Sequence, residues 1–349
     1  MKSLRNLPGG RWLLGILMAG ALLYFFVRSA DWGAVLDSVK AANPWLLAAV
    51  LCMQPPLFLL RAIRWQCFMA PIKKIRIQPL FSSMMIGFMI SFLFPGRLGE
   101  IVRPVLLGIR EKVSKTSTFA TIVLERIFDM LAVLILLQAY FLLASVMPGL
   151  AGQEGSQSTL LVIRRGGFIA LLVTLGAIAV MVGFKLKREA ASRLFVRIAG
   201  ILPTSLQRKA IHLLESFVTG LNVYHDLRTF MLIGFYSLAI WTGICFTIWV
   251  CIRAFGIGLP FLLVFPIQAI LMIGVAIPTP GMVGGFHAAM KIGLVTLWGV
   301  DPSLAVSTTL VLHALLVLPA VVHGLYYAWR EGFSLAEIRT IGEREQNEI

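Results

Sequence analysis

This sequence predicts an all-α polytopic membrane protein of about six full transmembrane helices plus two Pro-Gly re-entrant hairpins, arranged as an inverted repeat. Three observations carry that reading. Of the 349 residues, 58% are hydrophobic and 13% charged, where soluble domains average about half apolar and about a quarter charged. Apolar runs close to the length of about 20 residues that spans a bilayer recur along the chain, alternating with short basic segments. The pattern Pro-Gly-x-aliphatic-Gly also occurs twice, at Pro95-Gly96-Arg97-Leu98-Gly99 and Pro280-Gly281-Met282-Val283-Gly284, 185 residues apart.

Lys2, Arg5 and Arg11 precede the apolar run Trp12 to Val27, which resembles a signal peptide but lacks a clear small-residue cleavage site and reads as an uncleaved span. The second span runs from Pro44 to about Ile63, with Pro55-Pro56 expected to kink it, and ends in Arg61, Arg64, Lys73, Lys74 and Arg76, a cytoplasmic signature. Pro79 to Phe94 is 16 residues, roughly 24 Å of helix against about 30 Å of hydrocarbon. Proline lacks its N–H and glycine is maximally flexible, so Pro95-Gly96 breaks the helix. A segment that enters and returns keeps Arg103, Arg110, Lys112 and Lys115 inside; a full crossing would export them.

Thr116 or Ser117 can cap the next helix, which runs as far as Met147 and carries Glu125, Arg126 and Asp129 in its first third. A polar loop with Gly149, Gly152 and Gly155 follows, then Arg164-Arg165 and a fourth span from about Gly166 to Phe184. Residues 185–228 form the most basic loop, with an apolar stripe that predicts an amphipathic helix on the inner membrane surface. The fifth span covers roughly Thr229 to Ile252. After a turn from Gly256 to Pro260, the short run Phe261 to Ile277 leads to a second tip containing Pro278, Pro280, Gly281, Gly284 and Gly285. The arm Phe286 to Trp298, a sixth span from about Leu304 to Trp329 and a charged tail, 330–349, complete the chain.

These segments place 24 of the 31 Lys and Arg residues in the cytoplasm and 6 outside, which orients both termini inward. Adding 185 to 44–63 gives 229–248, and adding it to 117–147 gives 302–332, the fifth and sixth spans. With repeat halves at about 12–147 and 166–329, three full spans per half make the second half run in the opposite sense. Chance Pro-Gly pairs are the alternative, since residue identity beyond the tips is slight.

Charge in the apolar part narrows the function. Arg97, Glu100, Arg103, Glu125, Arg126 and Asp129 fall at spacings of three or four that share helix faces. Ionisable groups in hydrocarbon are costly and face a protein interior or a wet cavity. The six therefore either line one binding cavity near the first hairpin or form a structural ion-pair cluster, and both roles can coexist. The arginine fork suits phosphate oxygens. Because the six formal charges sum to zero, a headgroup carrying both a phosphate and an amine fits. His287 follows the second tip as a possible substrate group, whereas His313 and His323 read as packing residues. The net charge of +15 belongs to membrane topology and anionic lipid, not to nucleic acid. Cys52, Cys67, Cys245 and Cys251 lack metal-ligand or CxxC spacing, and no nucleotide phosphate loop, catalytic nucleophile or cofactor motif occurs.

FPGRLGEIVRP from Phe94, TIVLERIFDML from Thr121 and IPTPGMVGGFHAAM from Ile277 together resemble the lysylphosphatidylglycerol synthase transmembrane region, the flippase-like membrane half of the multiple peptide resistance factor family. The resemblance covers essentially the whole chain and points to Pro95, Arg97, Gly99, Glu100, Arg103, Glu125, Arg126, Asp129, Pro280 and Gly281. It implies a domain that moves an aminoacylated phospholipid between leaflets, without the cytosolic synthase domain or the soluble glycosyltransferase domain found in relatives. The expectation is a non-enzymatic flippase in a bacterial or archaeal inner membrane, without cofactor or metal. Its partner would be a phospholipid, aminoacyl-lipid, hopanoid or polyprenyl-linked glycolipid. The alternative is a lipid-modifying transferase using Glu100, Glu125 or Asp129 as general base, or an accessory subunit of glycolipid biosynthesis.

Overall fold

The computed structural model describes residues 10–28, 30–94, 97–147, 157–186 and 227–334, with 337 and 340, and among them contains eleven α-helices and no strand. They are α1 (Gly10–Val27), α2 (Trp32–Ala41), α3 (Pro44–Met69), α4 (Ile77–Leu93), α5 (Leu98–Glu111), α6 (Lys115–Ala144), α7 (Gln157–Leu186), α8 (Leu227–Ala254), α9 (Val264–Ala276), α10 (Gly285–Lys291) and α11 (Pro302–Arg330). Five stretches are long and apolar enough to cross a membrane: α3, α6, Ser158–Gly176 within α7, Arg228–Ala254 within α8, and α11. α1 is an apolar helix of 18 residues outside that set. α4, with 17 residues, is about 26 Å long, shorter than a bilayer core.

Side-chain caps set most helix starts. Asn43 accepts from the Trp45 and Leu46 N–H groups ahead of Pro44 at the first turn of α3, and Asp301 does the same for Ser303 and Leu304 ahead of Pro302 in α11. α6 begins at Ser114, whose hydroxyl accepts from the Ser117 N–H, rather than at Thr116 or Ser117. The amphipathic α2, capped by Asp31, was not anticipated. Arg164 and Arg165 lie within α7, not in a loop before it. The expected basic loop 185–228, apart from its two ends, falls outside the described residues, as do the Gly149 to Gly155 segment, most of the tail 330–349, and Pro95 and Gly96.

The 185-residue shift carries α3, α4, α5 and α6 onto α8, α9, α10 and α11 to within about two residues at most ends. It also exchanges contacts. α4 packs on α5 as α9 packs on α10, α4 on α11 as α9 on α6, α5 on α6 as α10 on α11, and α3 on α6 as α8 on α11. α3 and α8 pack on each other, running antiparallel. The Asn43 N–H donates to Ala254 O at 2.8 Å at one end, Leu57 meets Gly243 midway, and Arg64 Nη1 donates to Ser237 Oγ at 2.9 Å towards the other.

Each short helix pair is closed by two glycines. A Cβ on Gly99 would collide with Gly87 O across the α4–α5 contact, and one on Gly285 with Gly274 O across the α9–α10 contact. Gly99 and Gly285, both expected among the tip residues, lie in the first turns of the returning arms and let the backbones touch. The second turn depends on Gly281 (φ 61°) and Gly284 (φ 87°), in the left-handed region that glycine adopts without strain.

Candidate functional site

α3, α5, α6 and α8 converge on a buried ion cluster. Glu125 and Asp129 are four apart on α6 and so share the face that α5 and α3 cover. Arg103 on α5 binds Glu125 with both terminal nitrogens, at 3.1 Å and 2.9 Å, the paired geometry that a planar guanidinium supplies. Its guanidinium carbon lies 3.8 Å from the Trp65 ring centre. Arg64 on α3 reaches Asp129 at 2.7 Å and Glu125 at 3.5 Å. α8 completes the set, Trp241 Nε1–H donating to Asp129 at 2.7 Å. The side chains of Arg64, Arg103, Glu125 and Asp129 are 0%, 3%, 1% and 0% exposed.

A second layer is open. Arg126, 39% exposed, contacts Glu125 at 2.6 Å and Asp129 at 3.1 Å, and approaches Glu100, 37% exposed, at 3.8 Å. Glu100 also pairs with Arg97 at 3.4 Å. Arg97 precedes α5 in a left-handed conformation, φ 53°, which costs a non-glycine residue about 1 kcal/mol or more. Its Nη2 donates to Val275 O at 2.7 Å, on the last turn of α9, so the arginine joins one helix pair to the other. The second turn also reaches the first pair, Gly281 lying against Phe92 O.

All six charged residues singled out in the sequence thus form one connected set, but in two layers: Arg103, Glu125 and Asp129 are sealed, while Arg97, Glu100 and Arg126 are accessible. Pro278, Pro280, Gly281 and Gly284 build the second turn. His287 is buried away from the cluster, its ring 4.7 Å from that of His313, and His313 Nε2 lies 2.8 Å from Gly281 O. The pair braces the turn.

Sequence reasoning missed Arg64, Arg61, Trp65, Ser237 and Trp241. Arg61 and Arg64 read as topology charges at the end of a span, but α3 continues to Met69, burying Arg64 and half-burying Arg61. Their spacing of three, with Trp65 adjacent, was the available signal. With them the cluster holds five arginines against three carboxylates, not the balanced set of six. Among the described residues the buried Nε atoms of Arg64, Arg97, Arg103 and Arg126 have no hydrogen-bond acceptor.

Fold and site together define a multi-pass helical membrane protein with an arginine–carboxylate cluster between two short helix pairs. Residues 12–324 match the family described as the lysylphosphatidylglycerol synthase TM region, and the chain belongs to that family. Among curated proteins it is similar to a protein named glycosyltransferase AglD from Haloferax volcanii, 26% identical over 337 residues, covering 90% of this chain and 53% of that protein. The chain therefore spans about half the length of this relative.

Proposed function

We propose that this protein moves a phosphate-bearing lipid between the leaflets of a plasma membrane by alternating exposure of the accessible layer of the cluster. The observation that carries the reading is the position of Arg97, Glu100 and Arg126 above a sealed ion cluster, where the two short helix pairs meet through Arg97 and Val275. Charges that served packing alone would be sealed like Glu125; these are 31%, 37% and 39% exposed, open to a headgroup. The exchange of contacts under the 185-residue shift, with α3 antiparallel to its counterpart α8, supports an inverted repeat about an axis across the helices. In that arrangement α4–α5 and α9–α10 are re-entrant hairpins from opposite faces, and both termini are cytoplasmic.

An aminoacylated, zwitterionic headgroup suited a neutral set of six charges. The added arginines leave a formal excess of two positive charges and favour a headgroup of net negative charge. A second reading, a lipid-modifying transferase or a subunit of one, is favoured by the name of the Haloferax volcanii relative. Purified protein in defined liposomes separates the two. Transport is expected to bring a labelled inner-leaflet phospholipid to the outer leaflet with its mass unchanged, whereas a new lipid mass in the presence of a sugar or acyl donor would replace transport with transfer.

A further inference from the structure

Arg61 differs from every other arginine in the cluster. It sits one turn before Arg64 on α3, half-buried, with its guanidinium carbon 5.8 Å from the ring centres of both Phe88 on α4 and Trp241 on α8. Among the described residues no carboxylate lies within ion-pair distance of it and none of its N–H groups meets a hydrogen-bond acceptor. Each of the other four is held by at least one carboxylate. Nor are its nitrogens sealed off, since none is among the buried polar atoms left without a partner. A guanidinium between two aromatic faces is fixed in place by attraction to the ring quadrupoles while its in-plane donors stay free. The Trp241 ring that flanks it is itself held by its N–H bond to Asp129, so the ion cluster and the open arginine share a wall.

We propose that Arg61, between Phe88 and Trp241, is the anion-recognition site of this protein and takes a phosphate monoester or diester oxygen of a net-negative headgroup, the rings packing on the carbon atoms beside the phosphate. An arginine with five free N–H donors in a fork is matched to two phosphate oxygens at once. The site rests on the transport reading for its role but not for its existence, because binding is measured without movement.

The test uses the full chain in detergent with short-chain probes. Wild-type protein is expected to bind dioctanoyl phosphatidic acid and dioctanoyl phosphatidylglycerol on the order of tenfold more tightly than dioctanoyl phosphatidylcholine. Inorganic phosphate competes if the recognised group is phosphate alone, and fails to compete if the lipid body is also required; in both cases Arg61 is the contact. Arg61→Gln should bring the three lipids to equal affinity, and Arg61→Lys should keep a preference for the anionic pair at reduced strength. Equal wild-type affinities overturn the proposal without reference to any variant, as does Arg61→Gln with wild-type selectivity. If Arg61→Gln does not fold, Arg61→Lys with fully wild-type affinity overturns it. Selective binding in a protein that moves no lipid leaves this site standing and removes the transport reading; movement without charge selectivity does the reverse.

Discussion

Arg103 grips Glu125 with both terminal nitrogens while resting on the Trp65 ring, all three sealed from solvent. Breaking such a pair leaves an uncompensated charge in the interior, which costs about 3–5 kcal/mol. Arg103→Ala is therefore expected to lower thermal stability by that amount in detergent, and Glu125→Gln, which strands Arg103 while Arg64 and Arg126 keep Asp129, by a similar amount. Lipid movement should fall only in proportion to the protein remaining folded. Near-wild-type melting of both variants would show that water reaches this layer.

Glu100 behaves in the opposite way. It is 37% exposed and its contacts with Arg97 and Arg126 are long, at 3.4 Å and 3.8 Å, so Glu100→Gln should change stability by no more than about 1 kcal/mol. The expected loss is in lipid movement per folded molecule. A variant with wild-type movement would remove Glu100 from the substrate path.

Gly99 and Gly285 test the close approach of the helix arms. A methyl group at either would meet a facing carbonyl oxygen that cannot move without its helix, so Gly99→Ala and Gly285→Ala should each cost about 3 kcal/mol or more. Gly166→Ala, in α7 with nothing within 4 Å, is the control and should be neutral or stabilising by about 0.5 kcal/mol. Equal melting temperatures across all three would mean that the arms are further apart than described.

Removing the Arg97 guanidinium disconnects the two helix pairs at Val275. Arg97→Ala should speed amide hydrogen exchange over 277–284 while α3 and α8 keep their protection, and unchanged exchange at that turn would show that the contact holds nothing closed.

The inverted arrangement predicts opposite accessibility for two loop positions. On a background lacking Cys52, Cys67, Cys245 and Cys251, a cysteine replacing Lys112 after α5 should be labelled from the cytoplasmic side, and one replacing Val300 before α11 from the other. Labelling of both from one side defeats the arrangement.

Much of this was legible because membrane sequences expose their constraints. Apolar length marked α3, α6, α8 and α11, a proline-glycine pair marked each short helix pair, and the i, i+4 spacing of Glu125 and Asp129 placed two carboxylates on one face. The misreadings share a cause. Arg61 and Arg64 stand close to Lys73, Lys74 and Arg76, and a charge count cannot tell an arginine beyond a helix from one inside it. That distinction depends on where α3 ends and on Ser237 and Asp129, 173 and 65 residues away, arriving beside it. Arg97 and Val275 are likewise 178 residues apart; no local pattern announces their contact. α2 escaped notice because ten residues with mixed polarity carry too little periodicity.

Asp129 takes its indole hydrogen bond from Trp241, 112 residues further along the chain, and Arg64 takes its hydroxyl from Ser237. During synthesis α3 and α6 emerge long before α8, so for that interval Arg64 and Asp129 have each other but not the groups that α8 supplies. Insertion of α8 ends that interval. Until α8 is in place, the Arg64–Asp129 pair lacks both its indole and its hydroxyl partner.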